Sequence, residues 1–232
     1  MALAVRGTEV QMDPAESEDY YRFRELAASV RGRPYLCLTK PGLFSWDTVD
    51  EGTQRLVEHM EIRPEERVLD LGSGYGLAGL VAADLAPRGR VVLVDADCVA
   101  AEASRRTLER NVMAHAEALL SDCGSALLAP ASGGRQVRAK GIAPFDVVIT
   151  NPPFHQGRGV SVDVARQFIH DAAALLRPGG RLYLVANRFI PYGREMAGLF
   201  QEVGGIYQDN RFQVWRAIKG RPSPRTRGLR KG

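Results

Sequence analysis

The stretch RVLDLGSGYGLAGLVAADLA, residues 67–86, contains an apolar run, three alternating glycines and a second apolar run. Residues 67–71 predict a buried strand, and residues 77–86 predict a helix that ends before Pro87. Glycine between them permits a tight turn and lets a ligand approach the backbone at the N-terminus of the helix. The stretch therefore predicts a strand, a ligand-binding loop and a helix, which is the repeating unit of an α/β fold.

The same alternation of strand and helix continues toward the C-terminus and ends in a hairpin around Asp209 and Asn210. Strict alternation predicts a doubly wound, mostly parallel sheet with helices on both faces, and the hairpin adds antiparallel strands at one edge. A glycine-rich, basic stretch over residues 132–141 predicts a loop. The predicted strands are residues 90–95, 117–121, 145–150, 181–186, 206–208 and 212–218. The predicted helices are residues 97–113, 162–176 and 192–203.

The residues before this unit predict two further helices and one short strand. A capping pattern at residues 13–16, with proline at the first helical position, predicts a helix that continues to about Val30. Residues 35–39 predict a strand, and Asp47 predicts the N-cap of a second helix. The sequence thus indicates an N-terminal helical extension over residues 1–34, one large α/β domain over residues 35–220, and a basic tail over residues 221–232.

The composition is that of a soluble globular protein, and 232 residues are enough for one large domain. No apolar run reaches the roughly 18 residues of a membrane helix, and the N-terminus lacks the apolar core of a signal peptide. The three cysteines are an odd number, and no Cys/His spacing is typical of a metal site. We expect a cytoplasmic, monomeric protein with reduced thiols, no bound metal and no membrane contact.

The net charge of +4 is concentrated at the C-terminus. Residues 210–232 contain eight Lys or Arg and no Asp or Glu, and five of the eight lie in residues 221–232. Lys and Arg contact phosphates and need little fixed structure to do so, which makes the tail a candidate for contact with a polyanion. A solvated, disordered tail without a partner explains the same composition equally well.

The glycine loop is consistent with two classes of cofactor. It fits the loop that binds a dinucleotide as well as the loop that binds S-adenosylmethionine, and Asp95 after the second strand can accept from a ribose hydroxyl in either class. Two acids favour S-adenosylmethionine. Asp70 would repel a pyrophosphate, but it can accept from the ammonium of a methionine moiety or order the loop. Asp122 ends the third strand, where it can reach an adenine amino group.

Each of these acids also has a purely structural explanation as a helix N-cap or a turn residue, and Asp97 fits the N-cap role best. The corresponding explanation for the glycines is a tight turn without a ligand. The predicted cofactor-binding residues are Asp70, Gly72, Ser73, Gly74, Gly76, Asp95, Ala96, Asp122 and Asn151.

The catalytic candidates Asn151-Pro152-Pro153-Phe154 follow directly after the apolar run at residues 145–150. An exocyclic amine is a poor nucleophile because its lone pair is delocalised into the ring, and two acceptors that take its N–H protons free that lone pair. We predict that the Asn151 oxygen and the Pro152 carbonyl, aimed by the fixed φ of proline, are these acceptors. Phe154 can stack on the ring of the substrate, and His155 either contacts the substrate or is a solvated loop residue. The motif therefore predicts methyl transfer to nitrogen.

With these motifs the chain resembles the class I S-adenosylmethionine-dependent methyltransferases, and more narrowly the catalytic domain of bacterial ribosomal RNA guanine-N2 methyltransferases of the methyltransferase small domain group. The segments that carry the resemblance are residues 41–54 (PGLFSWDTVDEGTQ), 68–76 (VLDLGSGYG), 151–155 (NPPFH), 185–192 (VANRFIPY) and 211–218 (RFQVWRAI).

The resemblance implies a Rossmann-like sheet of seven strands, with S-adenosylmethionine held at residues 70–76, Asp95 and Asp122. It also implies a guanine amine at residues 151–154, and ribosomal RNA or a ribosomal subunit as the partner. Larger members carry an additional N-terminal half that helps to hold the RNA, whereas about 34 residues precede the matching region here. We hypothesise that the basic tail partly replaces that half.

Three functions stay open at this point. Residues 41–54 favour guanine-N2 methylation of ribosomal RNA, but methylation of adenine N6 in nucleic acid or of a protein glutamine would use the same Asn-Pro-Pro-aromatic motif. The non-enzymatic alternative is a binding module or assembly factor that keeps the fold without turnover. The intact Asp70, Asn151 and Phe154 argue against that alternative.

Overall fold

The computed structural model describes residues 22–130, 136–153 and 160–221, and its centre is a sheet of seven strands. The strands of this sheet are β3 (Arg67–Leu71), β4 (Arg90–Asp95), β5 (Ala116–Leu120), β8 (Phe145–Thr150), β9 (Leu176–Asn187), β10 (Glu202–Gln208) and β11 (Phe212–Ile218). Two hairpins lie outside it: β1 (Arg24–Val30) with β2 (Arg33–Thr39), and β6 (Leu128–Pro130) with β7 (Gln136–Arg138). Within these ranges the helices are α1 (Glu51–His59), α2 (Leu77–Leu85), α3 (Cys98–Arg110), α4 (Val160–Leu175) and α5 (Tyr192–Ala197), and none is long and apolar enough to cross a membrane.

The strands lie in the order β10-β11-β9-β8-β3-β4-β5, and β11 runs opposite to the other described strands of the sheet. The chain winds outward from β3 to β5, returns to the other side of β3, and continues through β8 and β9. The carboxyl ends of β3 and β8 therefore flank the point at which the winding reverses, where open α/β sheets bind ligands. The predicted doubly wound, mostly parallel sheet of seven strands with an antiparallel C-terminal hairpin is confirmed.

Helices cover both faces of the sheet because its central strands are almost continuously apolar. Val68 belongs to the core between the sheet and helices α1 to α3, whereas its neighbour Leu69 belongs to the core under α4 and α5. Leu80 on α2 and Ile169 on α4 are fully buried on these two faces. Each such side chain contributes roughly 2 kcal/mol through its removal from water, so the two layers hold the strand ends in fixed positions.

The helix predicted to continue to Val30 is wrong over the residues that the structure describes, because Arg24–Val30 is strand β1, paired antiparallel with β2. The turn between the strands is Arg31-Gly32, and both residues have positive φ, 52° and 72°, as in tight hairpin turns. The hairpin crosses the predicted boundary between residues 34 and 35. The capping pattern at residues 13–16 and most of the basic tail, residues 222–232, lie outside the described residues.

Three further predictions of local structure are wrong in part. Helix α1 is capped by Asp50 rather than Asp47, because the Asp50 carboxylate accepts from the Thr53 N–H at 2.7 Å. Part of the stretch predicted as a loop forms β7, which pairs with β6. The helix predicted over residues 192–203 ends at Ala197, because the chain turns there and residues from Glu202 onward pair with β11.

Candidate active site

The glycine loop curls from the end of β3 to the start of α2. The N–H groups of Gly72 and Ser73 donate to the carbonyl of Val94 at 2.9 and 3.0 Å, and Gly76 is the N-cap residue of α2. Gly72, Gly74 and Gly76 all have positive φ, at 76°, 57° and 87°, which L side chains rarely adopt. Glycine is therefore required for the chain to turn from strand to helix in this loop.

The three glycines also differ in the space around them. A Cβ at Gly72 would lie 2.7 Å from Cε1 of Phe168, and a Cβ at Gly76 would lie 2.9 Å from Oγ of Ser104. Packing thus leaves no room for a side chain at Gly72 or Gly76. A Cβ at Gly74 would meet no heavy atom of the described part of the chain within 4 Å, because Gly74 borders a cavity. The backbone of Gly74 is therefore open to a ligand.

A cavity of about 560 Å³ lies at the carboxyl ends of β3, β4, β5 and β8, a size typical of cofactor sites. Ser73 borders a smaller adjoining pocket, and its hydroxyl lies 3.0 Å from that of Ser104. Asp70 and Gly76 are not among the described residues that line either space. A larger groove of about 1050 Å³ between β7 and α4 borders none of the described site residues. The predicted residues that line the first cavity are Gly72, Gly74, Asp95, Ala96, Asp122, Asn151, Pro152 and Pro153.

Asp95 ends β4 and supports the glycine loop. Its Oδ2 accepts from the Gly74 N–H at 2.8 Å, and its Oδ1 accepts from the Asp97 N–H at 3.0 Å. Burial raises the pKa of the Asp95 carboxyl above its ordinary value, although the N–H donors act in the opposite direction. Each carboxylate oxygen keeps a lone pair, so Asp95 can still accept from ribose hydroxyls. Asp122 is exposed in the cavity wall after β5, and Asp97 caps α3 as predicted.

Asp70 is buried behind the glycine loop. The residue is 2% exposed, and its Oδ2 has no hydrogen-bond partner among the described residues. Burial is the main reason that the pKa of Asp70 is raised, to about 7; the N–H of Gly79 lowers this pKa, and the charge of Asp95 raises it. This position favours the predicted role in ordering the loop. Direct contact with a methionine ammonium group stays a prediction.

Replacing Asp70 by asparagine should change how stability depends on pH. The pKa of Asp70 is about 7 in the folded state and 3.8 in an unperturbed aspartate, so the folded state binds more protons than the unfolded state between these two values. The contribution of Asp70 to the free energy of unfolding therefore falls as pH rises from about 4 to about 7, and is flat above this window. Between pH 4.5 and pH 8, the free energy of unfolding of the wild type should fall relative to that of Asp70→Asn by on the order of a few kcal/mol. Denaturant unfolding at the two pH values measures this difference. Parallel pH profiles of the two proteins would contradict this assignment.

Asn151 lies at the end of β8, next to the end of β3. The hydroxyl of Thr150 donates to the carbonyl of Leu71 at 2.7 Å and ties the two strand ends together. The Asn151 side-chain nitrogen donates to Oδ2 of Asp50 at 2.8 Å and to Oγ1 of Thr53 at 2.9 Å. An ionised carboxylate only accepts, so the amide nitrogen must face Asp50. Oδ1 of Asn151 is buried and has no hydrogen-bond partner within the described ranges, so it is the unused acceptor of this amide.

Asp50 and Thr53 are site residues that the sequence analysis missed. The spacing Asp50-x-x-Thr53 is a helix N-cap signal that could have identified the start of α1. No local pattern indicates that the cap also contacts Asn151, because the two residues are 101 positions apart. Phe44, which lies six residues before Asp50 and is 59% exposed, also lines the wall of the cavity. Phe154 and His155 lie outside the described residues, and their contacts with a substrate stay predictions.

Comparison with known proteins places this architecture in a family. A family model described as the methyltransferase small domain matches residues 35–216. Two proteins named ribosomal RNA small subunit methyltransferase C are similar to the chain: that of Hahella chejuensis is 35% identical over 88% of the chain, and that of Escherichia coli is 37% identical over 79%. These matches cover 55% and 49% of the two relatives, so the chain spans about half the length of the curated relatives it matches.

Two solved structures are also similar to this chain. A 16S rRNA N2 methyltransferase from T. thermophilus, in complex with AdoMet and guanosine, has a TM-score of 0.72 and 33% identity, covering 85% of this chain and 51% of that chain. A methyltransferase from Pyrococcus furiosus, at 20% identity, shares the fold with a TM-score of 0.57 over 78% of this chain and 86% of that chain. The chain therefore belongs to the methyltransferase small domain family of class I S-adenosylmethionine-dependent methyltransferases.

Proposed function

We propose that this protein transfers a methyl group from S-adenosylmethionine to the exocyclic N2 amine of a guanine in ribosomal RNA. The observation that carries the proposal is the Asn151 amide beside the glycine loop, whose nitrogen is held by Asp50 and Thr53 and whose buried oxygen has no hydrogen-bond partner among the described residues. The relatives named as small-subunit rRNA methyltransferases and the similar structure with AdoMet and guanosine support the choice of cofactor, base and RNA. Ribosomal RNA or a ribosomal subunit would then be the partner, in the cytoplasm.

The proposed reaction is a direct displacement by the amine nitrogen. Oδ1 of Asn151 and the carbonyl of Pro152 accept the two N–H hydrogens, which frees the nitrogen lone pair. Nitrogen forms a bond to the methyl carbon, the carbon–sulfur bond breaks with its electron pair left on sulfur, and one N–H proton leaves to solvent. S-adenosylmethionine supplies the methyl group and leaves as S-adenosylhomocysteine. Proline fixes φ at position 152 and, through Pro153, restricts ψ there, so the carbonyl is aimed before the substrate arrives.

The residues around the cavity fit S-adenosylmethionine. Gly74 offers an open backbone at a positive φ, where a side chain would enter the cavity. Asp95 would accept from the ribose hydroxyls and Asp122 from the adenine amine, with Ala96 in the same wall. The N-terminus of α2, which begins directly after this loop, adds a favourable field for a carboxylate.

Transfer of labelled methyl groups to unmodified ribosomal RNA and to intact small subunits, followed by mass spectrometry, tests the proposal. The expected product is an N2-methylguanosine. N6-methyladenosine or labelled protein would replace the proposed function by one of its alternatives, because adenine N6 and a glutamine amide suit the same two acceptors. Absence of S-adenosylmethionine binding in calorimetry would instead support a binding module without turnover.

Removal of residues 221–232 should weaken RNA binding and flatten its dependence on salt. These residues contain five Lys or Arg, and each lost phosphate contact reduces the slope of log K against log salt concentration by about 0.7 for a single strand. Binding titrations at several salt concentrations measure the slope. A tail of equal length with glutamine at the five basic positions controls for length and should behave like the truncation. A slope equal to that of the intact chain in both variants would mean that the tail contacts no phosphate.

A further inference from the structure

We propose that Asp50 is a positioning residue for methyl transfer. It holds the Asn151 amide so that the oxygen is presented to the substrate amine, and it strengthens that oxygen as an acceptor. The inference rests on the proposed function, because it requires that Asn151 accepts a hydrogen bond from the amine that is methylated. Asp50 would act through Asn151 and not through a contact of its own with the substrate.

Asp50, Thr53 and Asn151 form a closed set of hydrogen bonds. Oδ2 of Asp50 accepts from the Thr53 N–H at 2.7 Å, from the Thr53 hydroxyl at 3.0 Å and from the Asn151 amide at 2.8 Å. The Thr53 hydroxyl, which donates to Asp50, accepts the second amide hydrogen of Asn151 at 2.9 Å. Both hydrogens of the amide are used, while its Oδ1 has no partner in the part of the chain that the structure describes.

This arrangement fixes the orientation of the Asn151 amide. Turning the amide over would place its oxygen against the Asp50 carboxylate, so that two acceptors would face each other and both hydrogen bonds would be lost. A hydrogen bond to a charged group is stronger than one between neutral groups, so one orientation of the amide is strongly dominant. The amide is therefore already turned with its oxygen as the unused acceptor before a substrate binds, and it need not rotate at the moment of reaction.

The charge of Asp50 has a second effect. An N–H group that donates to a carboxylate polarises its amide, so Oδ1 carries more negative charge and accepts more strongly. The amine nitrogen gains positive charge as its bond to the methyl group forms, which means that the polarised oxygen favours the transition state over the ground state. The N-terminus of α1 keeps Asp50 in place, because the carboxylate caps the helix and is stabilised by the helix dipole.

A double-mutant cycle of Asp50→Ser and Asn151→Ala tests the proposal, with kcat for methyl transfer to ribosomal RNA measured at saturating S-adenosylmethionine. Serine keeps the N-cap of α1 but is too short to reach the Asn151 amide. We expect Asp50→Ser to lower kcat by about tenfold or more, with an unchanged Kd for S-adenosylmethionine. The double variant should be no slower than Asn151→Ala alone. Losses that multiply, or a wild-type kcat for Asp50→Ser, would overturn the proposal.

Two further variants control for charge and fold. Glu51→Gln removes the next acid of the same helix, which pairs with Arg211 at 2.6 Å and is 55% exposed, and it should keep the wild-type kcat. Asp50→Asn keeps the size of the side chain and the cap but not the charge, so its kcat should lie between those of the wild type and Asp50→Ser.

The side-chain amide signals of Asn151 in nitrogen-15-labelled protein give a readout that needs no activity. They should move in Asp50→Ser and stay in place in Glu51→Gln. If the wild-type protein methylates no guanine in RNA, the proposed function is wrong, but the Asn151 signals of the variants can still be compared. Unchanged Asn151 signals in Asp50→Ser would overturn the role of Asp50 whatever the substrate.

Discussion

Replacing Asn151 by alanine should lower kcat by about 10²–10³-fold, as when one preorganised group that stabilises a transition state is removed. Affinity for S-adenosylmethionine should stay at its wild-type value, because the glycine loop, Asp95 and Asp122 remain to form the cofactor wall. The physical reason is that Oδ1 of this amide has no partner among the described residues, and the hydrogen bond that we propose it accepts from the amine would be strongest in the transition state. Single-turnover methyl transfer and calorimetry measure the two quantities separately.

Asn111→Ala is the matched control for this variant. The Asn111 amide also donates twice, to the carbonyls of Leu36 and Thr107, each at 2.7 Å, but Asn111 is not among the described residues that line the cavity. Its loss should lower stability and leave kcat unchanged. If Asn151→Ala lowered cofactor affinity and rate by the same factor, Asn151 would be a cofactor residue and its assignment as the amine acceptor would be wrong.

Replacing Gly74 by alanine should weaken binding of S-adenosylmethionine by at least about tenfold, the cost of forcing an extra methyl group into a packed contact. The new Cβ would meet no atom of the described residues within 4 Å, so the protein can fold around it, but the methyl group would occupy the space in which we propose that the cofactor approaches the backbone. The positive φ of 57° costs an alanine roughly 1 kcal/mol, which a stable domain tolerates. Calorimetry measures the affinity, and thermal denaturation measures the strain.

Gly32→Ala separates this backbone strain from exclusion of the cofactor. Gly32 has a φ of 72° in the turn between β1 and β2, and its Cβ would also meet nothing within 4 Å. It is absent from the described lining of the cavity. The two variants should lose similar stability, and only Gly74→Ala should lose cofactor affinity. Equal affinities in the two variants would contradict a cofactor beside Gly74.

Local patterns predicted the frame of the site well. The strands predicted at residues 67–71, 90–95 and 145–150 have the observed bounds of β3, β4 and β8. The reason is that each strand is a short apolar run with glycine or proline next to it, so its whole hydrophobic pattern lies within a few consecutive residues. Parallel strands end at one edge of the sheet, so the glycine loop, Asp95 and Asn151, each of which follows one of these strands or ends it, lie together in the structure.

Local patterns failed where strand pairing competes with helix formation. Residues 24–30 form β1 because pairing with β2 buries Ala28 and Val30, although Arg31-Gly32 also suits the end of a helix. Val203 lies in β10 for the same kind of reason, since it pairs with Ala217 on β11. Strand preference depends on such cross-strand neighbours more than on intrinsic tendency, and a short window does not contain them.

The sequence by itself determined the central strands, the glycine loop and the presence of an amide at the end of β8, because each depends on residues that are neighbours along the chain. The sequence could only predict that the amide oxygen is the acceptor, and the tertiary structure alone shows the hydrogen bonds that hold the amide in that orientation. Asp50 lies 101 residues before Asn151, and the packing of α1 against α2 and the sheet brings its carboxylate to 2.8 Å from the amide nitrogen. A carboxylate accepts and does not donate, so this long-range contact fixes the Asn151 nitrogen as the bound atom and leaves the oxygen as the atom for which we propose contact with the substrate.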